Sequence, residues 1–389
     1  MQTETLVFSV FLIFFGAAIL ATLALYARQS MLTAYILLGV LLGPWGINLV
    51  PDPKVIEEIA HVGIIFLLFL LGLDLDSNSL IHMFRKTTVV TLISSLVFAL
   101  ISFGLMRSFG FSTEDAVIIA AAMMFSSTIL GLKLLPTTIL HHKHMGEVII
   151  SILLMQDLIA IILLIILHGQ EQQQNIVTWL SVTMLLLPVL VAAAMLAARF
   201  ILVPLLVRFD TIREYIFLLA IGWCLGLAEF AQWTGLSPEI GAFIAGVALA
   251  RHPIAMYITD SLRPLRDFFL VMFFFSLGAG FDLASLQLVW LPASLLAVVA
   301  LLIKPFVFKW LLVKNREKNA VASEIGYRLG QISEFSLLLS LLAQQTGVIT
   351  DTAAYTIQFA TLLTFIFSSY FIVQFFPTPI AVKDTLRRD

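Results

Sequence analysis

The sequence has little charge and almost no cysteine for its length. Of its 389 residues, 12% are charged and 60% are hydrophobic, whereas about a quarter of the residues in a soluble globular protein are charged. The single cysteine, Cys224, excludes an internal disulfide framework. The formal net charge is −2, and no basic stripe indicates a nucleic-acid partner. Long apolar runs with short polar connections place the chain among membrane proteins.

The apolar runs recur along the whole chain. A spanning helix needs about 20 apolar residues. About thirteen such runs are centred near residues 16, 37, 65, 97, 125, 157, 188, 222, 245, 272, 300, 333 and 364. The first run follows no basic segment and is too long for a signal-peptide core, so we expect it to be retained. The sequence predicts an all-α polytopic membrane protein in which residues 1–389 form one transmembrane transport domain.

Basic residues in the connections predict the orientation. Cytoplasmic loops carry an excess of lysine and arginine. With the N-terminus outside, the outer loops hold only Lys54 and Arg107. The inner side then holds Arg28, Arg85, Lys86, Lys133, Lys143, Arg199, Arg208, Arg213, Arg251, Arg263, Arg266, Lys314, Arg316, Lys318, Lys383, Arg387 and Arg388. We therefore expect a cell-membrane protein, in a bacterial inner membrane, with a cytoplasmic C-terminus and contact with lipid.

One acid lies in the middle of an apolar span. If Gly146 to His168 is the sixth span, Asp157 lies eleven residues from each end, at the bilayer centre. A charge there costs about 3 kcal/mol on insertion scales, and such residues usually mark an ion or proton path. The alternative is an acid that only ties helices together, which serine or asparagine would do at lower cost. We predict that Asp157 and the adjacent Gln156 bind the ion, and that Asp157 carries the proton.

Other spans also carry polar groups at mid-membrane. The fifth, AAMMFSSTILGL, contains Ser126, Ser127 and Thr128, which are either ion ligands or helix-packing groups. The eleventh contains Lys304 directly before Pro305, and this lysine either snorkels or offsets a buried carboxylate. The twelfth, GYRLGQISEFSLLL, contains Arg328, Gln331, Ser333, Glu334 and Ser336. Arg328 and Glu334 are six apart on one helix, so we expect each to pair elsewhere.

Spans 4–6 (86–168) and spans 11–13 (286–376) each have a polar cluster in their middle helix. Because they are seven spans apart, the two sets enter the membrane from opposite sides. This is the topology of inverted repeats, whose sites lie near the midplane at broken helices. Asp157 follows Thr128 by 29 residues. The same step from Glu334 reaches residue 363, near Thr361 and Thr364, so the second set lacks the acid.

Seven segments form an ordered set along nearly the whole chain. They are YILLGVLLGPWGINLV (35–50), FLLFLLGLDLD (66–76), SST (126–128), LMQDLIA (154–160), GAFIAGVALA (241–250), FFFSLGAGFD (273–282) and RLGQISEFS (328–336). In this order they resemble the landmarks of the monovalent cation:proton antiporter-2 family, and within it the Kef-type potassium/proton antiporters.

The resemblance implies a homodimer with the sodium/proton-antiporter fold, in which a mobile core (helices of 86–168 and 286–376) contains two crossing broken helices. Gln156–Asp157 matches the Gln-Asp pair of Kef-type members, whereas sodium-transporting relatives more often carry Asp-Asp or Asn-Asp. The implied activity is one-for-one exchange of potassium for a proton, without an enzyme reaction or a cofactor. The family's polar helices correspond to Ser126–Thr128 and Gln331–Glu334, and Lys304 and Arg328 are expected to compensate charge.

The sequence departs from Kef systems in two places. Those systems continue into a cytosolic nucleotide-binding regulatory domain, whereas this chain stops at Asp389. We expect a truncated chain or a member without that domain, or one whose regulatory domain is separate. The loop RHPIAMYITDSLRPLRD (251–267) is basic, whereas Kef systems have an acidic glutathione-gating loop there.

In the expected mechanism, the cation and the proton compete for Asp157, and the oxygen ligands are hydroxyl, amide and main-chain groups. Three alternatives remain open. A sodium/proton antiporter would use the same fold and the same hard-cation chemistry. A ligand-gated cation channel is disfavoured because no TVGYG filter is present. An intramembrane aspartyl protease needs paired acids, and Glu334 is the one other acid at mid-span.

Overall fold

The structure is a computed structural model. It describes residues 2–27, 29, 31–50, 54–73, 78–135, 144–171, 176–234, 236, 238–250, 252–281 and 286–378. Several basic residues used to predict the orientation lie outside the described residues: Arg28, Lys143, Arg251, Lys383, Arg387 and Arg388.

Helices account for most of the described chain. The first half contains α1 (Gln2–Tyr26), α2 (Met31–Leu42), α3 (Lys54–Leu73), α4 (Asn78–Ser108), α5 (Thr113–Ala122), α6 (Thr128–Lys133), α7 (His144–Glu171) and α8 (Ile176–Ala197). A π-helical turn, Ala198–Leu202, joins α8 to α9 (Val203–Arg208). The second half contains α10 (Arg213–Trp233), α11 (Pro238–Ala250), α12 (Ile254–Ala279), α13 (Leu286–Lys314), α14 (Asn319–Arg328), α15 (Glu334–Gln345) and α16 (Asp351–Phe375).

The predicted spans and the helices agree. Each predicted centre falls within a helix or, near residues 125 and 333, in the interruption between two short helices. Seven helical stretches of the described chain are long and apolar enough to cross a membrane. Shorter apolar helices lie at Met31–Leu42, Glu58–Leu73 and Pro238–Ala250, two further spans are the interrupted helices, and the span near residue 272 is α12, which has 26 residues. The prediction of an all-α polytopic membrane protein with two broken helices is confirmed.

The chain divides into two compact units. The first comprises residues 1–16, 36–78 and 163–280. Within it, α3 and α11 approach each other through glycines: a Cβ on Gly72 would lie 2.4 Å from the Phe243 carbonyl oxygen, and one on Gly246 would lie 2.1 Å from that of Phe69. Small residues allow this approach, and close approach is how helices associate in a membrane, where lipid removes the hydrophobic drive between them.

The second unit comprises residues 17–35, 79–162 and 281–389, and it contains both broken helices. Its two sets of helices, α4–α7 and α13–α16, follow each other in the same order. An offset of 206 residues separates Thr113 from Asn319, where α5 and α14 begin, and also Thr128 from Glu334, where α6 and α15 begin. The two interruptions, 123–127 and 329–333, are therefore equal in length. These two sets are the predicted inverted repeats.

The same serine chemistry restarts both broken helices. The Ser127 hydroxyl accepts a hydrogen bond from Leu130 N at 3.1 Å, and the Ser333 hydroxyl accepts one from Phe335 N at 3.1 Å. A serine in this position satisfies an amide that has no partner in the first turn of a helix. Each helix therefore ends and restarts within the fold at a position that the local sequence encodes.

Candidate functional site

The two interruptions contact each other directly. The Ser126 hydroxyl donates to the Leu329 carbonyl at 2.8 Å, and the Gln331 amide donates to the Ser127 carbonyl at 3.4 Å. The Ser336 hydroxyl donates to the Ala122 carbonyl at 2.5 Å. All of these side chains are buried. Hydrogen bonds between side chains and main chain therefore join the broken helices at a crossing, as predicted.

Neighbouring helices satisfy main-chain groups that the interruptions leave without helical partners. On α7, Gln156 accepts from Ser126 N at 3.0 Å and donates to the Met124 carbonyl at 3.1 Å, so its side chain bridges the first interruption. On α16, the Thr364 hydroxyl accepts from Ile332 N at 3.1 Å. Ser126 and Ile332 are themselves 206 residues apart. Because unpaired amides are costly inside a membrane, the equivalent amide of each repeat has received a side-chain acceptor.

Lys304 connects the two interruptions from α13. Its buried ammonium group donates to the Phe125 carbonyl at 2.5 Å and to the Gln331 carbonyl at 3.2 Å, and it lies 5.3 Å from the centre of the Phe98 ring. The two carbonyls are equivalent in the repeats and follow the C-terminal ends of α5 and α14. Carbonyl ends of helices carry partial negative charge and favour a cation. Through these contacts, the Lys304 ammonium group offsets the partial negative charge of two main-chain carbonyls.

Asp157 is a residue of α7, and its side chain contacts Thr128, the first residue of α6. Its carboxyl group is 1% exposed and accepts from the Thr128 hydroxyl, which lies 3.1 Å from one carboxyl oxygen and 3.5 Å from the other. Glu334, the first residue of α15, is also buried and interacts electrostatically with Asp157. Thr128 and Glu334 are equivalent in the repeats. Two carboxyl groups and a hydroxyl near the first residues of two short helices can exchange a proton for a hard cation, which prefers oxygen ligands.

The other predicted site residues divide into two groups. Ser126, Ser127 and Gln331 connect the interruptions, and Ser333 caps α15; Gln331 also accepts from the Ser368 hydroxyl at 3.1 Å. Arg328 instead bonds Glu324, four residues earlier, at 2.8 Å, and it donates to carbonyls beyond α6 and α16. The expectation that Arg328 and Glu334 do not pair with each other agrees with these contacts.

Several residues that bond the side chains at or near the crossing were not among the predicted site residues. Glu324 could have been identified from its four-residue spacing to Arg328, which is the spacing of paired side chains on one helix. Thr364 had a signal in the 29-residue step taken from Glu334. Ser368 had none, because a serine pair in an apolar span, such as Ser368–Ser369, also occurs at Ser94–Ser95. In the part of the chain that the structure describes, no group of three or more His, Cys, Asp or Glu residues could hold a metal ion.

Comparison with known proteins defines the class. Residues 9–376 match the family described as sodium/hydrogen exchanger, transmembrane, and the chain belongs to that family. The chain is therefore a multi-pass membrane protein of a family of transporters. The prediction of a cation:proton antiporter family, made from seven ordered segments, is confirmed.

The relatives include a potassium and a sodium transporter. K(+) efflux antiporter 6 of Arabidopsis thaliana is 26% identical over 323 residues, covering 80% of this chain and 54% of that protein. The chain therefore spans about half the length of this curated relative. The structure of the sodium proton antiporter MjNhaP1 from Methanocaldococcus jannaschii at pH 8 superposes with a TM-score of 0.73 at 18% identity, covering 96% of this chain and 97% of that one. An electron-microscopy structure of MjNhaP1 gives a TM-score of 0.66 at 16% identity, with 96% of both chains covered. These likenesses show the sodium/proton-antiporter fold.

Proposed function

We propose that the protein exchanges potassium for protons by alternating access, and that the two ions compete for the carboxyl group of Asp157. The observation that carries this proposal is the position of that carboxyl: it is buried at the crossing of two broken helices and bonded to the Thr128 hydroxyl. Sites of transporters with inverted repeats lie near the midplane at such interruptions.

Oxygen atoms at the site support binding of a hard cation. We assign the ion to the Asp157 carboxyl, with the Thr128 hydroxyl and the Glu334 carboxyl as further ligands. The carbonyls of Met124, Phe125 and Gln331 already accept hydrogen bonds from Gln156 and Lys304. The proposed contribution of Gln156 is therefore to hold the first interruption open beside Asp157.

Coupling follows from the cost of an isolated charge in the membrane. The unoccupied Asp157 anion is costly to move through an apolar barrier, by about 3 kcal/mol or more. Binding of either a proton or a monovalent cation neutralises the anion. The occupied forms can therefore complete the transport step, whereas the empty form is held back. One carboxyl that carries either one proton or one monovalent ion exchanges them one for one.

The choice of potassium over sodium rests on resemblance. The Gln156–Asp157 pair is the Kef-type pair, and K(+) efflux antiporter 6 is a sequence relative. Sodium is the second candidate, because the solved structures of the same fold are of a sodium proton antiporter. Both ions prefer oxygen ligands. Selectivity must therefore be measured with each ion as the driving cation.

The proposal includes an assembly and an orientation. We propose a homodimer in the cell membrane, with the N-terminus outside and the C-terminus in the cytoplasm. The core helices of 86–168 and 286–376 would carry Asp157 between the two sides. The basic residues of the predicted inner loops support this orientation.

The test is exchange in proteoliposomes that contain an internal pH dye. Outward proton movement is measured after potassium or sodium is added outside, for the wild type and for Asp157→Asn. We expect potassium-driven proton efflux in the wild type and none in the variant. Asp115→Asn is the matched control, because Asp115 is also buried in the second unit but bonds Thr350. It should retain exchange.

Each alternative outcome has a distinct meaning. A larger response to sodium would keep the mechanism and change the ion. Cation flux without proton movement would contradict exchange and indicate a channel. Exchange that persists in Asp157→Asn would remove Asp157 from the mechanism.

A further inference from the structure

Arg328 is a buried arginine that the exchange mechanism does not use. It is the last residue of α14, and its side chain is 0% exposed. Its guanidinium group bonds Glu324 on its own helix and donates to the Leu134 carbonyl at 3.0 Å and the Pro377 carbonyl at 2.7 Å. It also lies 5.8 Å from the centre of the Phe376 ring. A planar guanidinium with several donors can hold several acceptors at fixed relative positions.

One of these acceptors, the Leu134 carbonyl, directly follows α6, the short helix that begins at the ion site. The α6 helix contains only the six residues Thr128–Lys133, about 9 Å of helix. A helix of this length is not stable by itself, so its position depends on what holds its ends. At its start, Ser127 accepts from Leu130 N. Just past its end, the Leu134 carbonyl accepts from Arg328.

The first residue of α6 is the one that donates to Asp157. The Thr128 hydroxyl lies 3.1 Å from the nearer carboxyl oxygen, and hydrogen bonds between oxygens are normally about 2.5–3.0 Å long. This contact is already slightly longer than that range. A shift of α6 by about 0.5 Å away from α7 would therefore break it.

We propose that Arg328 is a positioning residue for the exchange site. It holds the C-terminal end of α6, and through that short helix it keeps the Thr128 hydroxyl against Asp157. The inference deepens the proposed function and rests on it, because it concerns the same carboxyl. It goes beyond charge compensation, which the ion pair with Glu324 supplies, because the bond to the Leu134 carbonyl gives Arg328 a part in placing α6.

The test compares Arg328→Met with Thr128→Val, and then combines the two. Both single variants should raise the KM for the driving cation by about tenfold, the effect of losing one hydrogen bond to a charged group. Both should move the pH profile of exchange in the same direction. The double variant should resemble either single variant, because each change removes the same contact. Arg328→Lys retains one charged donor and should lie between Arg328→Met and the wild type.

Asp115→Asn provides a matched control. Asp115 is likewise a buried acidic residue, and it anchors main chain through Thr350 N at 2.8 Å and the Thr350 hydroxyl at 3.2 Å, but it does not contact α6 in these bonds. A lower melting temperature with wild-type KM and pH profile is expected for this control. If Arg328→Met does not fold, Arg328→Lys and its combination with Thr128→Val provide the same comparison.

Two results would overturn the inference. In one, the Arg328 variants lose thermal stability but keep the wild-type KM and pH profile, which is a purely structural role. In the other, the effects of the Arg328 and Thr128 variants multiply. Failure of the proposed function is recognised separately, because the wild type would then show no cation-driven proton movement.

Discussion

The two repeats of the second unit share a backbone plan but differ in their ionisable groups. At the offset of 206 residues, Asp157 of the first repeat corresponds to Leu363, and Lys304 of the second corresponds to Phe98. Each repeat supplies an interruption, a capping serine and a side-chain acceptor for the freed amide. Repetition thus provides the crossing, whereas the departures from repetition provide Asp157 in the first repeat and Lys304 in the second, with Glu334 in the position of Thr128. Asp157 binds the transported ions in the proposed mechanism, and Lys304 binds the carbonyls of both repeats.

The strongest test of this asymmetry moves the acid to the other repeat. Asp157→Asn combined with Leu363→Asp is expected to remain without exchange. The residue equivalent to Thr128 is Glu334, which as a carboxylate would repel a second carboxylate instead of donating to it. Proton efflux in proteoliposomes checks this. Leu363→Asp alone serves as the folding control, and restored exchange in the double variant would show that the repeats are interchangeable.

A large effect on stability is also expected at Lys304. Lys304→Met keeps an unbranched side chain one atom shorter but leaves the buried Phe125 and Gln331 carbonyls without their donor. At about 1–3 kcal/mol for each lost partner, the free energy of unfolding should fall by about 2–6 kcal/mol. Thermal unfolding in detergent measures the loss. Lys314→Met, an exposed lysine on the same helix, is the control, and an equal loss in both variants would contradict the assigned role of Lys304.

An intermediate effect is expected at the hydroxyl beside the acid. Thr128→Val removes the donor to Asp157 while retaining the shape of the side chain. A hydrogen bond to a charged group contributes about 1.5–3 kcal/mol, so the KM for the cation should rise about tenfold or more. Cation titrations of exchange at fixed pH give the KM. Thr128→Ser retains the hydroxyl and should remain near the wild type; a similar KM in the valine and serine variants would exclude the hydroxyl from the site.

The smallest effect is expected at Thr364, in the repeat that lacks an equivalent of Asp157. Thr364→Val removes the acceptor for Ile332 N, which should lower the free energy of unfolding by about 1–3 kcal/mol. The KM for the cation should stay near the wild-type value because Asp157 and Thr128 are unchanged. Thermal unfolding and cation titration together separate the two quantities. A KM change as large as that of Thr128→Val would mean that the second repeat also contributes to ion binding.

Much of the fold could be predicted from the sequence because the bilayer restricts the choices. Spans can be identified from apolar length, and the position of Asp157 at mid-span follows from counting residues. The two broken helices could be located from their polar clusters. The contacts within the crossing could not be predicted in the same way. Gln156 lies beside Asp157 in the sequence, which suggested an ion ligand, but its amide bridges Met124 and Ser126 across the interruption.

The partner of Lys304 illustrates why such contacts escape prediction. A sequence specifies side chains, so a buried lysine in it suggests a buried carboxylate as its partner. Interrupted helices also leave main-chain carbonyls without helical partners, and residue types do not reveal which carbonyls these are. The acceptors of Lys304 and Arg328 include such carbonyls, from residues Phe125, Gln331, Leu134 and Pro377. Predicting them requires the three-dimensional position of each helix end.

In the proposed mechanism, a cation and a proton compete for one carboxyl group. The most direct test adds potassium to purified protein in a weakly buffered detergent solution and measures proton release with a pH dye. We expect release that saturates near one proton per chain in the wild type, and none in Asp157→Asn. Release that persists unchanged in that variant, or potassium binding without proton release in the wild type, would contradict it.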